Sequence, residues 1–269
     1  PPPPPPPGDV TIIAAGDIAD CNNTNDDATA TLVDNIPGTV LVLGDNAYES
    51  GTKTEYDTCY NPNWGRSKDR TKPSPGNHEY QTAGAAGYYE YFGAAAGDPA
   101  KGYYSFDLGA WHIIALNSSL SVTAGSAQEV WLRADLAAST RACTLAYWHH
   151  PRFSSGSVHG NNSNMQPLWQ ALYDANADVV LGGHDHIYER FAPQTPTGVS
   201  DATRGIREFV VGTGGRGHYG LGTLKANSQV FDATSFGVLK MTLSATGYSW
   251  EFVPVAGATF TDSGSGACH

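Results

Sequence analysis

Several short apolar runs in this chain end abruptly in side chains able to bind metal ions. Val10–Ala15 runs into Gly16-Asp17, and Val40–Leu43 runs into Gly44-Asp45, with Tyr48 close behind. Thr144–Trp148 ends at His149-His150-Pro151, and Val179–Leu181 ends at Gly182-Gly183 before His184-Asp185-His186. A Pro-rich approach, Pro73 and Pro75, leads to Gly76-Asn77-His78-Glu79. Asp, Asn, His and Tyr offer the oxygen and nitrogen donors that hard and borderline cations take. Two neighbouring ions need roughly eight protein donors. Asp17, Asp45, Tyr48, Asn77, His149, His184 and His186 reach that number if one carboxylate is shared.

Each signal alone is weak. A Gly-Asp pair usually marks a turn. A His-x-His pair is often a surface coincidence, and in a strand alternation puts both imidazoles on one face. Asn77-His78-Glu79 would suit a helix cap, and Tyr48 a hydrophobic core. Five such clusters in one chain are hard to produce by chance, because most of them end an apolar run.

The elements that must position these residues alternate between strand and helix. Strands are expected at Val10–Ala15, Val40–Leu43, Thr144–Trp148 and Val179–Leu181, then at Glu208–Val211, Phe236–Leu243 and Tyr248–Val253, with Gly247 at a turn. Tyr103–Asp107 and Trp111–Leu116 read as a hairpin. Helices are expected at Asn25–Asn35, Thr52–Tyr60 (weakly), Ala127–Ala138 and Met165–Ala175. In Ala127–Ala138 the apolar face is Val130, Leu132, Leu136 and Ala137. The alternation predicts an α/β fold, and the hairpin predicts a mixed sheet. In open α/β sheets ligands bind outside the carboxyl ends of strands, so the clusters share one rim.

The chain has 269 residues, enough for one large domain, with a hydrophobic content of 40% and few charges. Its net charge of −11 argues against a nucleic-acid partner, which needs positive surface. An acidic protein that handles phosphate needs a local source of positive charge, and metal ions supply it. No run is long and apolar enough to suggest a membrane span. Pro1–Pro7 favours stiff polyproline II, so residues 1–8 read as a linker stub, with a tethered module before them as one option. Residues 9–269 read as the catalytic domain. Cys21, Cys59, Cys143 and Cys268 form no CxxC pair, which argues for two disulfides in an exported protein. Cys21–Cys59 with Cys143–Cys268 is the preferred pairing, and the sequence leaves the other connectivities open.

The ordered motifs resemble those of the purple acid phosphatases, within the calcineurin-like metallophosphoesterase superfamily. The family pattern GDxG, GDxxY, GNH[ED], VxxH, GHxH falls here on Gly16-Asp17-Ile18-Ala19, Gly44-Asp45-Asn46-Ala47-Tyr48, Gly76-Asn77-His78-Glu79, Ala146-Tyr147-Trp148-His149 and Gly183-His184-Asp185-His186. Ala19 and Ala146 depart from the pattern at positions that are not ligands. Pro151 follows the pair His149-His150 as it does in the family, which favours His149 as the ligand. The N-terminal β domain of the long plant enzymes is not expected here.

The resemblance implies a four-layer α/β/β/α fold, with two mixed sheets packed as a sandwich and flanked by helices. It implies that Asp17, Tyr48 and His186 bind a ferric ion. Asn77, His149 and His184 would bind a divalent ion (zinc, iron or manganese), with Asp45 bridging the two. It implies a secreted, extracellular or periplasmic hydrolase of small phosphate monoesters that uses a hydroxide held between the ions. A phosphodiesterase or nucleotide pyrophosphatase with the same ions is the first alternative, and a non-catalytic metal-binding domain the second.

His78, beside Asn77, and His159, ten residues after His149, are the candidate acids or phosphate clamps, with His150 a third. Glu79 and Asp185 would orient ligands. Arg216 and His218, in the Gly-rich run 212–218, could approach the phosphate. His112 lies in an apolar strand and reads as structural. Ser154–Gln166 and Gly217–Asn227 are expected to wall the substrate pocket.

Overall fold

Strict alternation sorts the strand residues into two hydrophobic cores. In the computed structural model, which describes residues 8–269, Ile113, Leu145, Val179 and Phe209 face one core. Their neighbours Ile114, Ala146, Val180 and Val210 face the other. A strand buried on both faces needs such continuous apolar runs, which explains their reading in the sequence. The Pro1–Pro7 segment of the expected linker lies outside the described residues.

Two sheets result. The first has six strands in the order Ser263–Ala267, Gly247–Pro254, Gly237–Leu243, Val10–Ala15, Thr39–Leu43, Thr71–Ser74. Its last three strands are parallel and the others antiparallel. The second has seven, in the order Ser228–Asp232, Tyr188–Phe191, Arg207–Val211, Val179–Gly182, Cys143–Tyr147, Trp111–Ala115, Tyr104–Leu108. Its central strands, from Arg207–Val211 to Trp111–Ala115, are parallel. The sheets pack face to face through the first core, which holds Ile12, Leu41 and Leu239 against Trp111, Leu145 and Phe209. Asn25–Asn35 covers the outside of the first sheet with Ala30 and Val33. Ala127–Ala138 and Gln166–Asp174 cover the second with Leu132, Leu168 and Leu172. The fold is the expected four-layer α/β/β/α sandwich.

Local details differ from the sequence reading. Leu132 and the half-buried Leu136 face the core as expected, but Val130 is 57% exposed and Ala137 also faces out, and Gln128 and Glu129 complete the inner face of Ala127–Ala138. Gln128 turns inward because its amide pairs with both backbone groups of Asn117, at 2.7 and 2.9 Å. Thr52–Tyr60 is one α-helical turn, Lys53–Glu55, followed by a π turn, Tyr56–Tyr60. The Thr52/Glu55 capping box closes its start.

The cysteines pair as Cys21–Cys59 and Cys143–Cys268. No helix among the described residues is long and apolar enough to cross a membrane.

His112 sits between Asp107 (3.1 Å) and Asp135 (2.7 Å), joining the Tyr104–Leu108 strand to Ala127–Ala138. Arg141 also binds Asp107, and Ser105 donates to Asp135. Burial pulls the His112 pKa down, but the two carboxylates outweigh it and raise the value above its ordinary one. The stabilisation is therefore fully present below about pH 6.5 and is lost as pH rises through the folded value. His112→Gln is expected to lower the melting temperature by about 2–4 °C at pH 5.5 and by less at pH 9. Equal losses at both pH values, read by thermal scans, would contradict this.

Candidate metal centre

The clusters meet because their strands run parallel. The carboxyl ends of Val10–Ala15, Thr39–Leu43 and Thr71–Ser74 in one sheet abut those of Cys143–Tyr147 and Val179–Gly182 in the other. Immediately past these ends the chain turns sharply. Asp17, Asp45 and His184 take left-handed backbone, with φ of 59°, 50° and 71°. Each is a conformation that non-glycine residues seldom adopt and that clusters at functional sites. His184 and His186 therefore sit on a bent segment, and strand alternation is not what aligns them. Close approach also requires glycine: a Cβ at Gly44 would fall 2.6 Å from His149 Cβ, and one at Gly76 would collide with the Asp45 carboxylate.

A short parallel ladder pairs Ala19-Asp20 with Ala47-Tyr48. It brings the Tyr48 hydroxyl to Asp17 Oδ1 (2.9 Å), to which it donates, and to His186 Nε2 (3.3 Å) and Asp45 Oδ2 (3.4 Å). His186 Nε2 lies 3.3 Å from Asp17 Oδ1. On the other side His149 Nε2 lies 3.0 Å from Asp45 Oδ2 and 3.1 Å from His184 Nδ1. Ligand atoms of Asp45, His149 and His184 all fall within 4.8 Å of one another. Asp45 thus touches both halves of the cluster.

The donor set fits a pair of cations. Asn77 Oδ1 is buried with no hydrogen-bond partner, a cost that coordination removes. His149 Nδ1 lies 2.9 Å from the Leu43 carbonyl and His186 Nδ1 2.7 Å from that of Gly217, which aims both Nε2 atoms inward. Burial opposes charge at Asp45, yet His149 and His78 hold its carboxyl below the usual range. Burial likewise lowers His149, but Asp45 reverses this and carries it to about 9. Burial, then the Asp17 carboxylate, pushes the Tyr48 phenol well up. Carboxylates and imidazoles packed this closely offer anionic oxygen and, once deprotonated, neutral nitrogen ligands, a donor set that cations match.

The surrounding residues divide into holders and facers. Glu79 is buried and touches no open space. It accepts from the backbone N–H groups of Asp45 (2.9 Å), Asn46 (2.8 Å) and Gly76 (2.7 Å), joining two motifs. Asp185 accepts from Ser154 Oγ (2.5 Å) and from the backbone of His159 (3.2 Å) and Gly160 (3.0 Å). His159 is exposed and stacks on His184, with centroids 3.9 Å apart. His150 packs against His184 from another side, its ring tilted and the centroids 4.2 Å apart, and meets Ser118 Oγ at 2.8 Å. Burial, then the neighbouring His149, lowers His150 to about 3, so its ring stays neutral. His78 Nδ1 is 2.5 Å from the Glu49 carbonyl, and Nε2 is 3.9 Å from Asp45 Oδ2.

Two candidates stand differently from the sequence reading. Arg216 is held by Asp20 and by Glu49 (2.9 Å), with its guanidinium 4.7 Å over the Tyr48 ring. Its charge is answered, so it is not a free phosphate clamp. His218 stacks on Phe236 at 4.1 Å, with Nδ1 3.3 Å from the His186 carbonyl, and so lies behind that histidine.

Other residues had no signal in the sequence. Tyr219 lies flat on the His186 ring, centroids 4.0 Å apart at 11°. Glu208 accepts from the backbone of Arg152 (2.8 Å) and Phe153 (3.0 Å). Glu189 accepts from Ser155 N (2.7 Å) and Ser155 Oγ (2.6 Å). Burial pushes Glu208 up to about 8, with those N–H groups and the Arg152 charge pulling it back. With Asp185, these carboxylates fix the stretch that carries His159.

The chain matches the family model of the calcineurin-like phosphoesterases over residues 8–188 and belongs to that family. Within it, the chain is similar to the purple acid phosphatases. Purple acid phosphatase 15 of Arabidopsis thaliana is 28% identical over 215 residues, covering 66% of this chain and 40% of that protein. Purple acid phosphatase 23 of the same plant is 29% identical over 219 residues, covering 66% and 47%. The chain therefore spans less than half the length of these relatives. A purple acid phosphatase from yellow lupin (Lupinus luteus) seeds superposes with a TM-score of 0.77 at 16% identity, over 96% of this chain and 54% of that one. That likeness is one of fold. The family implies two metal ions.

Proposed function

We propose that the chain is a phosphatase that hydrolyses small phosphate monoesters at two ions held by its strand-end cluster. The observation that carries this reading is the convergence of Asp17, Asp45, Tyr48, His149, His184 and His186, with a buried, unpartnered Asn77 Oδ1 on the loop whose next backbone N–H donates to Asp45. Asp17, Tyr48 and His186 would hold one ion and Asn77, His149 and His184 the other, with Asp45 shared. When bound, the pair supplies an activated water and positive charge for the phosphate oxygens.

The chain's own groups do the rest. His78 and His159 flank the cluster on opposite sides, His78 beside Asp45 and His159 over His184. An ester lying between them would take from one or both a hydrogen bond to a phosphate oxygen or a proton to the leaving oxygen. His150, held neutral, donates without carrying charge. Glu79 and Asp185 keep the loops in register. The Tyr48 phenol favours a ferric ion at the first position, because that ion is acidic enough to displace a proton that burial holds tightly. Zinc, iron or manganese suits the Asn/His/His position. The paired cysteines support export, which fits oxidising surroundings.

Elemental analysis of the purified protein, with rates on a phosphomonoester and a bis-ester, tests the reading. About two metal equivalents and faster monoester turnover are expected. An iron-loaded sample is expected to show a broad visible band that Tyr48→Phe removes. Metal-loaded protein with no turnover on any phosphate ester would overturn the hydrolase reading. An iron-loaded sample without the band would overturn the ferric assignment alone.

A further inference from the structure

Among the described residues six large apolar side chains are strongly exposed, and three of them, Val158, Leu221 and Leu224, stand on two loops beside the metal cluster. Each is more than half exposed, at 55%, 52% and 57%. Isolated exposed leucines are ordinary, but a local concentration on one rim is not.

These loops form one built wall. Ser157 N donates to the Gly220 carbonyl (2.9 Å) and Gly222 N to that of Ser155 (2.8 Å), while Gly156 and Leu221 form a β-bridge. Lys225 N donates to Ser155 Oγ (2.9 Å), and Tyr219 N to the His186 carbonyl (3.1 Å). Gly156 itself lies against the Asp185 carboxylate, between the two terminal histidines of the cluster. The base of the wall is aromatic: Tyr219 lies on His186, and His159 lies on His184, with Tyr219 and His159 5.5 Å apart. The wall thus rises from the imidazoles and ends in apolar tips.

The chemistry of the rim is lopsided. Arg216, the guanidinium that packs on Tyr48, is answered by Asp20 and Glu49. Arg152 is buried and bound to the Pro196 carbonyl. Lys225, half-buried, is the one lysine or arginine of Gly217–Asn227. Such a rim offers little to a polyanion and much to a hydrocarbon.

We propose that this wall is the leaving-group subsite, and that Val158, Leu221 and Leu224 select phosphate monoesters with an apolar alkyl or aryl leaving group. The proposal rests on the phosphatase reading above. An ester arm that leaves the cluster past His159 and Tyr219 passes onto the two loops that carry these side chains. Their contact removes apolar surface from water on both partners.

A homologous series of n-alkyl monophosphates tests this, because the leaving alcohols are equally acidic and differ only in length. The protein's kcat/KM is expected to rise about twofold per methylene, or about fifteenfold from ethyl to hexyl phosphate, mainly through KM. In Leu221→Asp/Leu224→Asp the hexyl-to-ethyl ratio is expected to fall below about threefold, and Leu221→Met/Leu224→Met is expected to restore it. Inhibition constants of the matching alkylphosphonates, which have no ester bond to cleave, are expected to follow the same slope. A flat series in the unaltered protein, or an unchanged slope in the Asp variant, overturns the proposal. No turnover on any ester would sink the hydrolase reading instead, and the phosphonate slope would still decide the subsite.

Discussion

Asp45→Asn is expected to lower kcat by at least about a hundredfold and to reduce the bound metal below two equivalents. The magnitude is a floor. Replacing a residue that merely supports a metal ligand already costs about ten- to a hundredfold. Asp45 is placed where both halves of the cluster converge, 3.0 Å from His149 and 3.4 Å from the Tyr48 hydroxyl. The substitution is nearly isosteric, and Asn can still accept from the His78 backbone N–H, which meets Asp45 Oδ1 at 2.9 Å. The fold should therefore survive, and a melting temperature close to that of the unaltered protein would show it. Full activity with two metal equivalents retained would refute a shared carboxylate at this position.

The second large effect concerns stability. Cys143 opens a central strand of the seven-stranded sheet, and Cys268 follows Ser263–Ala267, the edge strand of the other sheet. The bond closes a loop across a sequence separation of 125. Loop closure on that scale contributes about 4–5 kcal/mol through the unfolded chain. The edge strand has little of its own to hold it, because Ser263–Ala267 is all Ser, Gly and Ala. Cys143→Ala/Cys268→Ala is expected to lower the melting temperature by about 10 °C, with fraying that starts at that edge. Cys21–Cys59, with a separation of 38, should matter less by about 1 kcal/mol. A thermal scan with no shift would reject the stapling role, and free thiol in unreduced, denatured protein would reject the pairing itself.

What could be read in the sequence was whatever repeats or ends locally. Apolar runs stopping at Gly16-Asp17, Gly44-Asp45 and Gly183-His184 are local events, so the α/β class and the meeting of the clusters at one rim followed from them, whereas the four-layer arrangement came from the family resemblance. The side of a helix that turns inward was less legible. Gln128 enters the core because Asn117, eleven residues earlier and outside the helix, offers both backbone groups, and Val130 is turned out as a result. The role of Arg216 was hidden more deeply, because its partners Asp20 and Glu49 lie 196 and 167 residues away. Glu189 and Glu208 look like any glutamate in a strand. Only the folded chain shows that their carboxylates face loop amides.

These glutamates have a consequence for how the protein could change. Within this loop their contacts fall on residues 152–155, with Ser228 on a neighbouring strand the other partner of Glu189, and those of Asp185 fall on Ser154, His159 and Gly160. Ser157 and Val158 receive nothing from them. Root and crest of this stretch therefore answer to separate constraints. Mutational drift or laboratory selection can rewrite the crest, and with it which compounds the protein accepts, while the anchorage beneath stays intact.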